Sequence, residues 1–279
     1  MEKLFILEQM RDNKNIVTYP IGKNGIDVDL TLEKMGATIF KNLSSDLKVP
    51  NSSAFIMDYY KETEELIVPQ FEKSFELLQP KRLAGAINIP NAYLYDITQE
   101  TELWINKYIA KFIDDLTFAA AFKGDGITEP NGLINTITTN VNSTVSQPTL
   151  DIITDLELSV KNNNTNEKLH YVSDPSLFRT SKIIPKAAGT GRFLCESNFM
   201  NGFEYKTSAL LPTYDTGTSH PLFLGDFSQM IIGFFDDIEI LIDPASLASQ
   251  GMTRLIVTIF NDIKITDEKS FAMANKLTI

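Results

Sequence analysis

The sequence has one cysteine, Cys195, two histidines, His170 and His220, and one tryptophan among 279 residues. A single cysteine excludes an intrachain disulfide. Such a thiol is expected in a core. As a nucleophile it would need a base beside it, and the histidines stand in Asn-rich or Pro-flanked stretches with no supporting motif. Runs of lysine or arginine are also missing. With 25 basic against 36 acidic residues the net charge is −11, which argues against a grip on nucleic acid, because phosphate binding relies on clustered cations. A protein that surrounds DNA without holding it remains compatible with that charge. No apolar run approaches membrane-spanning length, and the apolar part of MEKLFILEQM is too short for a secretory signal. The chain is expected to be made and used in cytoplasm.

The motifs of common enzyme classes are absent as well. Ala187-Ala188-Gly189-Thr190-Gly191 lacks the Lys-Ser/Thr pair of a phosphate loop and reads as a solvent loop. Asp236, Asp237, Glu239 and Asp243 form the only acidic cluster that suggests a divalent metal. On a strand Asp237 and Glu239 share a face while Asp236 points away, and no loop has the ligand spacing of an EF-hand. A solvated sheet edge accounts for the cluster better. No nucleophile, base and oxyanion donors assemble, no cofactor is expected, and no internal repeat is visible.

What the sequence does have is centred on residues 81–135. Leu83 to Ile89 alternates and stops at Pro90, as a strand entering a turn does. Thr98 to Phe122 contains no Gly or Pro and repeats apolar residues at Ile105, Ile109, Phe112, Ile113, Leu116 and Ala120, one helical face. Asp96 or Thr98 can cap this helix, which would span roughly 35 Å. It runs into Lys123-Gly124-Asp125-Gly126, where glycine can take the positive φ that ends a helix.

Either side of this centre the chain reads as follows. Residues 1–28 show little periodicity and resemble an arm. Leu30 to Leu47 reads as a short amphipathic helix stopped by Pro50. Ala54 to Tyr60 and Phe71 to Leu78 read as two strands bracketing a polar tip, a hairpin too long to stand in water without a surface to lie on. Leu150 to Val160 reads as helix or strand. His170-Tyr171-Val172 is a strand, and Ser173 or Asp174 caps a helix that starts near Pro175. Leu222 to Leu277 is rich in strands, with Met230 to Phe235, Ile238 to Ile242, Leu255 to Phe260 and Asp262 to Ile265 as separate segments.

The long helix, the Gly124-Asp125-Gly126 turn and Pro130-Asn131-Gly132-Leu133-Ile134, in that order, resemble the tailed-phage major capsid protein family with the Hong Kong 97 phage fold. There a spine helix ends in a G-x-G turn followed by P-x-G-(I/L)-(I/L). Further matches are Tyr171 to Pro175 (a strand-to-helix step ending in Asp174-Pro175), Gly191-Arg192-Phe193-Leu194, Gly225-Asp226-Phe227, and the ending Asp267 to Ala272 with Phe271. The resemblance covers nearly all of residues 30–277.

The resemblance implies an α+β fold. Residues 1–28 would be an N-terminal arm, 51–80 an extended β-hairpin loop and 124–234 an axial domain. A peripheral domain would join 29–50, 81–123 with the spine helix, and 235–279. The implied function is a major capsid (head) protein of a tailed phage or prophage. It would form hexamers and pentamers of itself in an icosahedral shell enclosing double-stranded DNA, assembled in the host bacterial cytoplasm and carried in the virion. Portal, scaffolding and decoration proteins are the other implied partners; no membrane is. An encapsulin-like nanocompartment shares the fold and is the nearest alternative. An acidic metal-dependent enzyme centred on Asp237 and Glu239 is the alternative from another class.

Two expectations about contacts between subunits follow. At the hairpin tip Glu62, Glu64 and Glu65, next to Lys61, would meet a neighbour's basic residues, with Lys81, Arg82 and Arg254 as candidates. Some family members also join subunits by a lysine–asparagine isopeptide bond. Here the loop has only Lys61 and Lys73, Gln250-Gly251-Met252 stands where the asparagine belongs, and Asn261 is the one fallback. A shell held by non-covalent contacts is expected.

Overall fold

The computed structural model describes residues 16–22, 25–50, 60, 75–92, 99–141, 146–162, 168–187, 189, 191–211, 213 and 219–279. The tip residues Lys61, Glu62, Glu64 and Glu65, Lys73 and most of the expected strand Ala54 to Tyr60 lie outside them. So do Asp96 and Thr98 and most of the expected arm. The chain divides into two compact units. One comprises residues 1–45, 79–135 and 232–263; the other 46–78, 136–231 and 264–279. The expected span 235–279 is thereby divided, because its last strand hydrogen-bonds within the second unit.

The elements in chain order are β1 (Ile16–Tyr19), α1 (Thr31–Lys34), β2 (Thr38–Leu43), β3 (Leu47–Pro50), β4 (Phe75–Leu78), β5 (Lys81–Pro90), α2 (Gln99–Lys123) and α3 (Leu133–Thr136). Then come α4 (Leu150–Lys161), β6 (His170–Ser173), α5 (Pro175–Ser181), β7 (Cys195–Glu196), β8 (Phe199–Met200), β9 (Phe203–Thr207), β10 (His220–Gly225), β11 (Met230–Asp243), β12 (Met252–Ile265) and β13 (Phe271–Leu277). Among the described residues no helix is long and apolar enough to cross a membrane.

The first unit is a sheet of order β1-β11-β12-β5, with β2 also on β11, together with the long helix α2. Asn261 on β12 donates from its amide to Thr117 of α2 at 3.1 Å, a buried contact that ties sheet to helix. Asp114 of α2 takes two bonds from Thr31, N–H to Oδ1 and hydroxyl to Oδ2, both 2.7 Å, and so holds the start of α1. The expected helix over Leu30 to Leu47 is corrected here. Apolar spacing at Leu32 and Met35 does bury both residues, but Gly36 at φ +112° ends the helix after one turn. The β-branched and aromatic residues that follow pair as β2 instead. The separate C-terminal segments also fuse. β11 and β12 are continuous strands of 14 residues each.

The second unit is a sheet of order β13-β10-β6-β9-β8-β7, with the β3–β4 pair apart from it. Leu47 to Pro50 pairs antiparallel with Phe75 to Leu78, so the described hairpin stem starts earlier on its first side than expected. One face of the six-stranded sheet is buried under Ile153, Leu156 and Val160 of α4 and Leu177 of α5, against Tyr171, Tyr205, Leu222 and Leu224. Residue 150 onwards is helix because Thr149 caps it, its hydroxyl accepting from Ile152 N–H. Asp174, not Ser173, caps α5, accepting from Ser176 N–H at 2.9 Å, with Pro175 in the first helical turn.

Candidate functional site

The end of α2 is built on two glycines at which any side chain would strike backbone. A Cβ on Gly124 would lie 1.9 Å from the carbonyl oxygen of Pro130, and one on Gly132 2.5 Å from Gly124 N. The chain therefore crosses itself backbone to backbone, with Gly132 N–H donating to Gly124 O at 3.0 Å. Gly126 takes φ +75°. Between them the Asp125 carboxylate accepts from the N–H groups of Ile127, Thr128 and Glu129 and from the Thr128 hydroxyl, all within 2.7–2.9 Å. Those donors, the Glu129 N–H foremost and the Thr128 hydroxyl next, hold the carboxyl well below its ordinary range. A lowered pKa contributes stability that is complete above the unfolded value of about 4 and fades as pH falls below it. Asp125→Asn should thus lower the urea midpoint at pH 7, and the gap from the parent chain should narrow as pH drops below about 4. A gap of constant size across that range would contradict this role.

Lys81 closes the same turn. Its Nζ donates to the carbonyls of Gly126 and Glu129, both at 2.7 Å, so its amine is engaged within its own chain. Arg82 and Arg254 sit differently. The register pairs Arg254 with Asn88 and Phe260 with Arg82, which puts both guanidinium groups on one face of β5 and β12. Arg254 Nε donates to Asn88 Oδ1 at 3.0 Å, and Arg82 reaches Thr258 Oγ1 at 3.5 Å.

The helix face differs from the expected one. Ile105, Ile109 and Ile113 are buried, as are Phe118 and Phe122, but Phe112 and Leu116 are not. With Trp104 and Tyr108 these two form a second stripe at i, i+4 spacing. Trp104 is 59% exposed and Leu116 43%. Trp104 stacks on Tyr108 with centroids 5.2 Å apart, and Tyr108 meets Phe112 edge-on at 4.7 Å. A stripe of that size on the surface of a subunit is unusual unless something covers it.

In the second unit three motif residues from distant stretches meet. Gly225 pairs with Phe271 across β10 and β13, and a Cβ there would strike the Phe271 ring at 2.1 Å. Asp226 N–H donates to Ser270 O at 3.1 Å, its Oδ1 accepts from Ser228 N–H, and Phe227 meets Phe271 edge-on at 5.5 Å. Gly191 at φ +63° and Arg192, whose carbonyl accepts from Lys186 N–H, shape a separate turn. One contact the sequence reading missed lies here: His220 Nδ1 is 3.0 Å from the buried Asp174 Oδ1. Burial pushes the Cys195 thiol up, the direction of an inert core thiol.

The acidic cluster lines a pocket of ≈350 Å³ with Thr18, Asn42, Thr258 and Phe260. Asp236 was expected to point away. It lines the pocket with Asp237 and Glu239, because its φ of +53° breaks the strand alternation. Asp243 is used elsewhere, accepting from the N–H groups of Ala245 and Ser246. Among the described residues no group of three or more His, Cys, Asp or Glu is placed to hold a metal ion.

Residues 26–276, which include the helix-end turn and every other motif above, match the model of the Phage capsid family. The chain belongs to this family. A curated relative, the major capsid protein of Halomonas phage phiHAP-1, is 24% identical over 251 residues, 88% of this chain. The chain spans about two fifths of that relative's length, 40%. Among solved structures, the capsid of an empty GTA particle superposes with a TM-score of 0.63 at 16% identity, covering 88% of this chain and 89% of that one. The SrpI encapsulin complex of Synechococcus elongatus PCC 7942 superposes with a TM-score of 0.60 at 10% identity, covering 98% and 95%. The fold is the expected α+β, Hong Kong 97 phage-type capsid fold.

For a member of the phage capsid family, one further placement concerns covalent joining. Asn261, the only fallback for an isopeptide bond, is buried with its amide on Thr117. Boiled in detergent, assembled particles should run as a single band near 31.3 kDa. A ladder of higher bands would overturn that expectation.

Proposed function

We propose that the chain is the major capsid protein of a tailed bacteriophage or prophage. Copies assemble as hexamers and pentamers into an icosahedral shell around double-stranded DNA. The observation that carries this reading is the family match from residue 26 to 276, which takes in both compact units. The exposed stripe Trp104, Tyr108, Phe112 and Leu116 supports it, since burying such surface on neighbours is what repeated interfaces of a closed shell do. In this reading residues 29–50, 81–123 with the spine helix, and 235–279 are the peripheral domain, and residues 124–234 are the axial domain. Residues 51–80 are the extended loop and 1–28 the arm. Shells form in the host bacterial cytoplasm with portal, scaffolding and decoration proteins, and the chain carries out no catalysis. Sedimentation and negative-stain imaging of the purified chain test this. Capsomers and closed particles are expected, and a strictly monomeric species at high concentration would overturn it.

An encapsulin-like compartment is the second reading, favoured by the 98% and 95% coverage of the encapsulin match. Particles purified from expressing cells and from phage-producing cells separate the two. Packaged double-stranded DNA belongs to the capsid, protein cargo to the compartment.

The hairpin tip gives a residue-level prediction. With Lys81 engaged at its own turn, Arg82 and Arg254 are the partners left for a neighbour's Glu64 and Glu65. Contacts of this kind are screened beyond about 8–10 Å at physiological salt. Glu64→Lys with Glu65→Lys should lower the yield of particles and leave the unfolding midpoint of the unassembled chain unchanged. Wild-type particle yield from the double variant would remove the tip from the interface.

A further inference from the structure

The sheet of the first unit ends at β5, which pairs with β12 on one side and, among the described residues, with no strand on the other. Its pairing with β12 runs without a shift from Lys81 opposite Asn261 to Pro90 opposite Met252. No bulge therefore turns the free edge away. Residues 83–89, Leu-Ala-Gly-Ala-Ile-Asn-Ile, include no charge and no proline. Ala84 to Asn88 are exposed without a break, so that stretch is open on both faces. Such a row of unpaired N–H and C=O groups is a template for another strand, and proteins ordinarily blunt it with charge, proline or a bulge.

The edge also reads nearly the same from either end. Pro80 and Pro90 lie five residues to either side of Gly85, and a proline, having no N–H, ends a ladder. A second β5 laid antiparallel with Gly85 opposite Gly85 brings Ala84 opposite Ala86 and Leu83 opposite Ile87, each match occurring twice. Arg82 falls opposite the uncharged Asn88 and Lys81 opposite Ile89, so no like charges meet. Any other centre shortens the stretch between the prolines. Ala84 and Ala86 share the face of Arg82, away from the side on which Asn261 bonds to α2.

We propose that β5 of one copy pairs antiparallel with β5 of a second copy about a two-fold axis through Gly85. The two sheets then continue as one, in the order β1-β11-β12-β5-β5-β12-β11-β1. The choice of a second copy as occupant rests on the capsid reading and on this self-matching. A two-fold contact requires a patch in which residue i meets j and j meets i, whereas pairing with an unrelated strand needs no symmetry in β5. In a shell of hexamers and pentamers the contacts within a ring are heterologous, and an isologous contact of this kind joins one ring to the next. The backbone supplies the attraction, and the prolines and cations at the ends fix the register.

The test is cross-linking and charge exchange in the full chain. Cys195 is buried, so an introduced thiol is the one an oxidant reaches. The contact holds residue 85 opposite its own copy, with Cβ positions about 4.5–5.5 Å apart. Gly85→Cys treated with diamide should therefore run in non-reducing detergent as a linked pair near twice 31.3 kDa. Ile87→Cys should not, because two copies of residue 87 would lie about 13 Å apart along the strands, beyond the reach of a disulfide. Independently, Ala84→Asp with Ala86→Asp sets like charges opposite each other twice and should lower the yield of sedimenting particles about tenfold, as should Ala84→Lys with Ala86→Lys. Ala84→Lys with Ala86→Asp sets opposite charges together and should keep most of the wild-type yield. Wild-type particles with no linked pair from Gly85→Cys, linking as strong at Ile87→Cys, or equal yields from the three charge variants would overturn the contact and leave the capsid reading standing. A linked Gly85→Cys pair from a chain that never forms particles would keep the contact and overturn the capsid reading. Neither particles nor a linked pair would overturn both.

Discussion

Gly124→Ala should destabilise the chain by about 3 kcal/mol, the upper end of what overpacking costs. The added Cβ would meet the carbonyl oxygen of Pro130 at 1.9 Å and that of Ala120 at 2.7 Å. Both are backbone atoms, so no side chain can swing aside to make room. Relief would require the 130–132 segment to retreat, breaking the bond from Gly132 N–H to Gly124 O and the one from Asn135 Nδ2 to the same oxygen. It would also pull Lys81 Nζ away from its two carbonyls. Gly85 is the control. A Cβ there meets nothing within 4 Å, and Gly85→Ala should change the urea midpoint little or raise it slightly, as such replacements do at compatible positions. Equal effects at the two glycines would mean that the crossing at the helix end is not as close as described.

The extent of α2 was legible because a stretch without Gly or Pro is bounded by a glycine turn, and the periodicity of its apolar residues is long. Which side of it is buried was not. Apolar residues occupy two neighbouring stripes, Ile105-Ile109-Ile113 and Trp104-Tyr108-Phe112-Leu116, and spacing alone fits both. The choice is made by β12 and α1, through Asn261 to Thr117 and Thr31 to Asp114, partners far off in sequence. Residues 30–47 failed for a related reason. Leu32, Met35, Ile39 and Leu43 keep a helical spacing, but Gly36 at φ +112° takes the chain out of the helix and the rest joins a sheet.

The candidate site shows the same division. Gly124, Pro130 and Gly132 converge, and so do Gly225, Asp226 and Phe271. These are positions where backbone approaches backbone or a ring, and the residue types themselves carry the constraint. Charged positions carry no such mark. Nothing in the sequence near Lys81 says that its amine closes its own chain's turn, nor that Asp236 leaves strand alternation and joins Asp237 and Glu239. That Lys81 is engaged at its own turn, while Arg82 and Arg254 share one face of the sheet, is known only from the bonds of that turn and the register of β5 and β12.

Ile113→Ala should cost about 2–5 kcal/mol, through the transfer of the lost methylenes and the cavity they leave. Leu116→Ala should cost less than about 1 kcal/mol in the unassembled chain, although the sequence pattern had put both residues on one buried face. Ile113 is 4% exposed, between Ile109 and the buried Thr117 on the side that faces β12. Leu116 is 43% exposed, on the same stripe as Phe112, and truncation there returns to water little area that folding had removed. Helix propensity does not confuse the comparison, since Ala is the best helix former at either position. If anything, the substitution at Leu116 gains slightly from it. Urea unfolding of both variants, with the slope of the transition held to the parent value, measures the difference directly. A cost at Leu116 as large as that at Ile113 would mean that the stripe is covered in the subunit itself, and the assembly reading would then lose the surface that supports it.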